Sequence, residues 1–251
     1  MAQAKSVVDT IARCFDNGTY SDLTIKCHYR SWKVHRVVVC SQSTVLHAAC
    51  MTGFKVIIQE RSSFSSKSDP TQEQYTGVID LDDDDPVAVE ILLKYFYTGK
   101  YNEPIDEMKE LRQQLQVQVL TYNLADKYDV LALMGLAAKR FKSTLNDGPT
   151  TVEYLSVISD VYAIPTSTNS LRVTATEHAR ANFRDMIQSD DSEVLRTTLQ
   201  DIPEFAFDVL QLFANAPLIG RCYTCGPNQS AEPLQARCIK CSRGGISLTH
   251  Y

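Results

Sequence analysis

A strand pattern that leads directly into a helix pattern constrains the fold of this chain most, and it occurs twice. In Ser21–Ser43, apolar residues first stand at every second position, the period of a half-buried β-strand. A second apolar run, which extends to Val37–Val39, follows the tight Tyr29–Ser31 connection and predicts the partner strand of a hairpin. Ser41 or Ser43 is placed to cap the helix that follows. The alternating residues are Leu23, Ile25 and Cys27 and, after the turn, Trp32 and Val34.

The second copy of the pattern lies in Gly77–Tyr101. A short apolar strand precedes a run of aspartates, and Asp85-Pro86 has the N-cap and first-turn chemistry of a helix start. Apolar residues then recur at three- and four-residue spacing, which predicts a helix with one apolar face that ends at Gly99. The run Asp82–Asp85 lacks the alternating ligands and the glycine of an EF-hand loop, so its role is predicted to be helix stabilisation.

Three motifs in these segments resemble the BTB (POZ) domain, in the form common in fungal proteins. They are S-D-L-T-I, K-V-H-R-V-V-V-C-S-Q-S and I-D-L-x-D-D-D-P…L-L-K-Y-F-Y-T-G-K-Y, in that order. The resemblance covers roughly Val7 to Phe141. It implies an α+β fold with a small β-sheet flanked by α-helices, no enzymatic activity, and self-association or docking of protein partners.

The resemblance also suggests two interaction sites. An Asp and an Arg that line a charged pocket at the BTB dimer axis correspond to Asp22 and Arg36. The simpler interpretation is that Asp22 caps local backbone and that His35 is a hydrogen-bonded, partly buried histidine. Adaptors of cullin-type ubiquitin ligases often carry a Glu where this chain has Val56, so the sequence supports a cullin partner only weakly.

Four cysteines near the C-terminal end form two Cys-x-x-Cys pairs, Cys222/Cys225 and Cys238/Cys241, with twelve residues between them (226–237). Two such pairs supply the four thiolates of a tetrahedral structural zinc site, with no position left for a catalytic water. Disulfide pairing is the alternative, although nothing else in the sequence indicates an oxidising compartment.

The other four cysteines, Cys14, Cys27, Cys40 and Cys50, lie in apolar patterns where a reduced thiol acts as a small hydrophobic group. The alternative to this structural role is metal binding by Cys40, His47 and Cys50, but this set lacks a clear fourth ligand. Lys55–Tyr75 is serine-rich and has no sustained period, so it is predicted to be a disordered insert or partner-binding loop.

Predicted domains follow from these patterns. Residues 1–142 form the BTB/POZ unit with the insert at 55–75, residues 143–216 an α-helical extension, and residues 217–251 a short zinc-binding tail. Helices of the extension are predicted around Val152–Tyr162 and Leu171–Phe183, and from Pro203 onwards. The Ser143–Pro149 segment is rich in turn residues and marks the boundary.

Composition narrows the function further. The formal net charge is −5 and no long basic run occurs, which argues against a general phosphate-backbone binder. No membrane-spanning run or signal peptide pattern is found, so a cytoplasmic or nuclear location is expected. Catalytic and phosphate-binding motifs are missing. The sequence therefore predicts a non-enzymatic adaptor or scaffold, a possible homodimer with protein partners. The alternative is a transcriptional or chromatin regulator whose zinc tail contacts nucleic acid through Arg221, Arg237, Lys240 and Arg243.

Overall fold

The computed structural model describes residues 7–52, 77–101, 111–165, 170–215, 218–231, 238–241 and 246–248. The chain divides into two compact units, residues 1–140 and 141–251. The predicted insert at 55–75, the predicted helix end at Gly53 and the Val56 position all lie outside the described residues.

The first unit has the predicted α+β architecture, with helices around a three-stranded sheet of order β2-β1-β3. Strand β1 pairs antiparallel with β2 and parallel with β3. The elements described in this unit are α1 (Val7–Asn17), β1 (Leu23–Cys27), β2 (Arg30–Val34), α2 (Arg36–Gln42), α3 (Thr44–Thr52), β3 (Val78–Asp80), α4 (Pro86–Thr98), α5 (Leu111–Lys127) and α6 (Leu131–Asn146), whose last turns belong to the second unit.

Buried and more exposed side chains alternate along β1, so one face of the sheet lies against the core of this unit. Leu23, Ile25 and Cys27 are all buried, while Thr24 and Lys26 between them point away from the core. Helices α3, α4 and α5 contribute a buried apolar surface to the same unit. Its fully buried large side chains are Leu46, Leu92, Leu93, Leu115 and Tyr122.

The hairpin is present, but its second strand is shorter than predicted. Val37–Val39 were expected to extend the strand and instead lie in α2, where Val39 is fully buried and Val37 is 79% exposed. The side-chain oxygen of Asp22 accepts a hydrogen bond from the backbone N–H of Arg36 at 2.8 Å, which satisfies an exposed amide of the first helical turn. Three valines in succession fit a strand by propensity, and this local hydrogen bond favours the helix.

The helix starts predicted at Ser43 and Asp85 and the helix end predicted at Gly99 are confirmed. Ser43 Oγ accepts from the backbone N–H of Leu46, in the first turn of α3, at 3.1 Å. Asp85 Oδ1 accepts from the N–H groups of Val87 and Ala88 at 2.9 Å each, with Pro86 as the first helical residue. Gly99 ends α4 with φ 65°, in the left-handed region that glycine adopts at little cost.

The second unit contains helices followed by a small antiparallel sheet of order β5-β4-β6. The helix predicted over Val152–Tyr162 is interrupted at Ser156-Val157, and the helix over Ser192–Asp201 was not predicted. None of the helices described along the chain has both the length and the apolar content needed to cross a membrane. The elements described are α7 (Thr151–Leu155), α8 (Ile158–Ala163), α9 (Ser170–Gln188), α10 (Ser192–Asp201), α11 (Pro203–Asn215), β4 (Leu218–Cys222), β5 (Gly226–Ala231) and β6 (Ile246–Leu248).

Candidate metal centre and interaction residues

The first Cys-x-x-Cys pair forms the turn of a β-hairpin. Strand β4 ends at Cys222 and strand β5 begins at Gly226, so Cys225 is held just before the returning strand. Gly226 has φ 88°, a conformation that an L side chain rarely adopts. This glycine lets the chain reverse immediately after the second thiol.

The hairpin turn and the Cys238–Cys241 turn bring all four sulfur atoms together. The Sγ atoms of Cys222, Cys225, Cys238 and Cys241 lie within 4.8 Å of one another, and Cys222 Sγ is 3.8 Å from Cys241 Sγ. A tetrahedral zinc with Zn–S bonds of about 2.3 Å requires sulfur atoms about 3.8 Å apart. The four cysteines are therefore close enough to hold one metal ion, and all four are free thiols.

Backbone amides make one of these thiols unusually acidic. Hydrogen bonds from the backbone of Cys225 and then of Thr224 lower the pKa of Cys222 to about 7. The pKa of Cys225 is raised to about 12, first because its thiol shares a hydrogen bond with Cys241. Metals bind the thiolate form of cysteine. The backbone amides of Thr224 and Cys225 therefore favour the ionised form of Cys222 that a metal needs.

The outer surface of the cluster is apolar and basic. The side chains between the cysteines are exposed, Tyr223 to 81% and Ile239 to 56%, and so are Arg221 and Lys240. Arg237 and Arg243 lie outside the described part of the chain.

Sequence reasoning identified the four cysteines but missed the groups that position them. The strands β4, β5 and β6 were not predicted, and neither were the amides of Thr224 and Cys225 that point at Cys222 Sγ. The sequence did indicate a tight turn at Gly226-Pro227-Asn228, and Gly226 supplies the positive φ of that turn.

Asp22 and Arg36, the pair suggested by the resemblance, do lie together. Asp22 Oδ1 accepts from the Arg36 N–H, and Arg36 Nε donates to the backbone oxygen of Asp22 at 3.4 Å. Both ring nitrogens of neighbouring His35 are hydrogen-bonded, Nδ1 to Tyr97 Oη at 2.7 Å and Nε2 to the Thr19 carbonyl at 2.8 Å. The local capping role of Asp22 is thus visible in the structure.

The aspartate run stabilises the first unit. Asp84 is hydrogen-bonded to Lys127 Nζ and to Tyr128 Oη, at 2.7 Å each, and its backbone oxygen accepts from Cys27 Sγ at 3.2 Å. Asp82 accepts from the N–H of His28. Burial, followed by the charge of Asp84, raises the pKa of Cys27 to about 11, so this thiol stays protonated. These contacts tie the hairpin, the loop before α4 and the end of α5 together.

The alternative metal site at Cys40, His47 and Cys50 is not formed. Among the described residues, the only group of three or more potential ligands close enough to share a metal is the cluster of four cysteines. Cys50 is buried, and that burial is the first reason why its pKa is raised to about 12. It behaves as the small hydrophobic group that the sequence pattern predicted.

Comparison with known proteins identifies the first unit. The family model described as BTB/POZ domain matches residues 11–144, just over half of the chain. No curated protein matches the sequence. The matched range contains the β1-β2 hairpin, the capped helices α3 and α4 and the aspartate network. It ends before the helices α7 to α11 and the cysteine cluster.

Proposed function

This chain belongs to the BTB/POZ domain family, and we propose that it is a non-enzymatic adaptor or scaffold whose BTB unit associates with a second copy while its helical extension holds another protein. The family match over residues 11–144 carries the proposal, because BTB domains generally act as protein interaction modules. The three motifs that resemble fungal BTB domains support a fungal-type member. We propose the same domain division as the sequence suggested, at residues 1–142, 143–216 and 217–251.

Light scattering of the purified full chain tests self-association. A mass of two chains at micromolar concentration supports the proposal. A strict monomer that also captures no protein in proximity labelling contradicts it. Labelling with and without the residues from Pro217 onwards would show whether the tail selects the partner.

We propose that Asp22 and Arg36 lie at the interface between the two copies. Asp22→Asn is the sharpest test, because asparagine keeps the side-chain oxygen that accepts from the Arg36 N–H and removes only the charge. The variant is expected to keep its melting temperature and to weaken the dimer. Glu204→Gln, an exposed neutralisation in the second unit, is the matched control. A dimer unchanged by Asp22→Asn would contradict this placement.

A cullin-type ubiquitin ligase is the protein partner that we propose to test first. The sequence has Val56 where cullin adaptors often carry Glu, so the native chain is expected to bind a purified cullin weakly. Val56→Glu restores the acidic residue and should increase capture in a pull-down. No capture by either form would remove a cullin from the list of partners.

We propose that the ion held by the cysteine cluster is zinc with a structural role. The spacing of the two Cys-x-x-Cys pairs and the 3.8 Å separation of Cys222 and Cys241 support this identity. Four sulfur ligands fill the coordination shell, which leaves no open position for catalysis. Thiolate metal sites are typical of reducing compartments, so we propose a location in the cytoplasm or nucleus.

One observation favours a second candidate function, a regulator whose tail contacts nucleic acid. Tyr223 is an exposed aromatic side chain, and the exposed cations Arg221 and Lys240 are direct sequence neighbours of the cluster cysteines Cys222 and Cys241. Stacking on aromatics combined with phosphate contacts is how single-stranded nucleic acids bind without strict sequence preference. Titration of labelled single-stranded RNA and DNA at two salt concentrations tests it, and absent or salt-insensitive binding would exclude it.

A further inference from the structure

The second unit contains a cleft of about 640 Å³ that none of the features described so far explains. Its volume lies within the range of roughly 300–1,000 Å³ that is common for ligand sites. One wall is formed by the end of α6 and the turn after it, and the other by more than three turns of α9, from Thr174 to Met186. Many of its lining residues are exposed, so the cleft is open along its length.

The α9 wall carries negative charge at a defined spacing. Glu177, Ala181 and Asp185 follow one another at four-residue intervals, which places them on one face of the helix. The two carboxylates are eight residues apart, or about 12 Å along the helix axis. Ala181 between them has a small exposed side chain and leaves room for a bound group.

The floor of the cleft adds apolar surface and neutral polar groups. Leu145 and Met186 line it and are each 3% exposed. The Asn182 amide donates to the His178 carbonyl at 3.0 Å, and its nitrogen lies 3.5 Å from His178 Nε2. Burial lowers the pKa of His178, so its ring is neutral at pH 7 and does not repel a cation. Lys142, on the facing wall, is the cationic lining residue.

We propose that this cleft binds a basic, extended segment of a partner protein, with two Lys or Arg side chains paired to Glu177 and Asp185. Side chains four residues apart in an extended chain point to the same side and are separated by about 13 Å, which matches the spacing of the two carboxylates. An apolar residue between them would rest over Ala181, Leu145 and Met186. The ammonium group of Lys142 would donate a hydrogen bond to a backbone carbonyl of the bound segment.

The inference rests on the proposed function in one respect, that the helical extension holds a second protein. Three fluorescent peptide pools of equal length and apolar content would be titrated into the full chain, with either two Lys, two Asp or two Gln residues placed four apart. The basic pool is expected to bind best. Glu177→Gln combined with Asp185→Asn should weaken it about tenfold, since each exposed ion pair contributes a factor of a few.

Two further variants make the test specific. Ala181→Tyr fills the cleft at an exposed position, so it should block binding without unfolding the unit. Asp201→Asn, an exposed neutralisation outside the cleft, should have no effect. Binding of the basic pool that is unchanged in the double variant or in Ala181→Tyr, equal binding of another pool, or no binding of any pool would overturn the proposal. Light scattering of the same variants reports self-association separately, so failure of the cleft is distinguishable from failure of the BTB scaffold.

Discussion

The BTB unit and the cysteine tail are ordered by different means. In the BTB unit, side chains such as Ile25, Leu46 and Leu92 are fully buried among other apolar residues. Among the tail residues whose side-chain burial the structure describes, the buried hydrophobic side chains are Cys222 and Cys238, which belong to the cysteine cluster themselves. Burial of apolar area stabilises the first region. A segment as short as the second can bury little apolar area, so we expect it to depend on the convergence of four sulfur atoms.

This difference explains why each region leaves a different signal in the sequence. Apolar burial produces periodicity, which spreads over many residues and survives the loss of any one. Metal coordination produces exact spacing of a few residues, and each of them is indispensable. We therefore expect metal removal to affect the tail and not the BTB unit, and core truncation to affect the BTB unit and not the tail.

Removal of one sulfur ligand is expected to have the largest effect. Structural zinc sites in small domains bind with about 10–16 kcal/mol of apparent free energy, which is coupled to folding. Cys222→Ser should lose close to one equivalent of zinc, measured by elemental analysis, and strands β4 to β6 should lose protection from amide hydrogen exchange. The melting of the BTB unit should not change.

Cys14→Ser is the matched control, because Cys14 lies in α1 and not in the cluster. It should retain the full zinc content. A Cys222→Ser protein that still carries one equivalent of zinc, or a tail that stays protected after chelation, would show that the four cysteines do not form the centre.

Truncation of the apolar core tests the other side of the comparison. Leu92 in α4 is fully buried, so Leu92→Ala should reduce the free energy of unfolding by about 2–5 kcal/mol, measured by urea titration. Leu131→Ala, at a position that is 65% exposed, should change it by less than about 0.5 kcal/mol. Zinc content should be the same in both. Equal effects of the two variants would contradict the assignment of the core.

The Asp84 network should contribute less than the core. Its carboxylate is 8% exposed and pairs with Lys127, whose side chain is 22% exposed. Asp84→Asn is expected to destabilise the BTB unit by about 1–3 kcal/mol, because the Lys127 and Tyr128 donors lose a charged acceptor. Asp83→Asn changes the exposed neighbouring residue in the same way and should be nearly neutral. A double-mutant cycle with Lys127→Met would isolate the ion pair, and a coupling energy of zero would remove it as a source of stability.

The helix caps at Asp85 and Gly99 in the BTB unit could be predicted because each of these signals had one structural solution. Asp85 followed by Pro86 is suited to the start of a helix and not to its interior, and Gly99 is suited to a helix end. In α11 the apolar pattern was compatible with burial of either of two helix faces. The helix predicted from Pro203 onwards carries several apolar residues, of which Phe207 and Leu210 are 65% and 66% exposed, while Phe205 is fully buried.

The choice between the two faces of α11 depends on a distant partner. The Phe205 ring packs edge-on against Tyr162, with ring centroids 5.6 Å apart. Both sets of apolar residues in α11 recur at three- and four-residue spacing, so periodicity alone cannot select one. The strands of the tail were missed for a similar reason, because Gly226-Pro227-Asn228 has low strand propensity and pairs only where β4 is already held in place.

The smallest expected effect concerns acid stability of the helical extension. Burial lowers the pKa of His178 in the folded state, so the unfolded chain binds a proton more readily. The stability that this neutral histidine contributes is complete above its unfolded pKa, about 6.5, and declines as the pH falls below that value. The melting temperature should therefore fall between about pH 7.5 and 5.5, and fall less in His178→Gln. His47→Gln, at an exposed position in α3, should keep the native pH dependence. The carboxylates of Glu177 and Asp185 in the same cleft are present in all three proteins, so they do not affect the comparison. An identical decline in His178→Gln and the native chain would show that this histidine is not the acid-sensitive group.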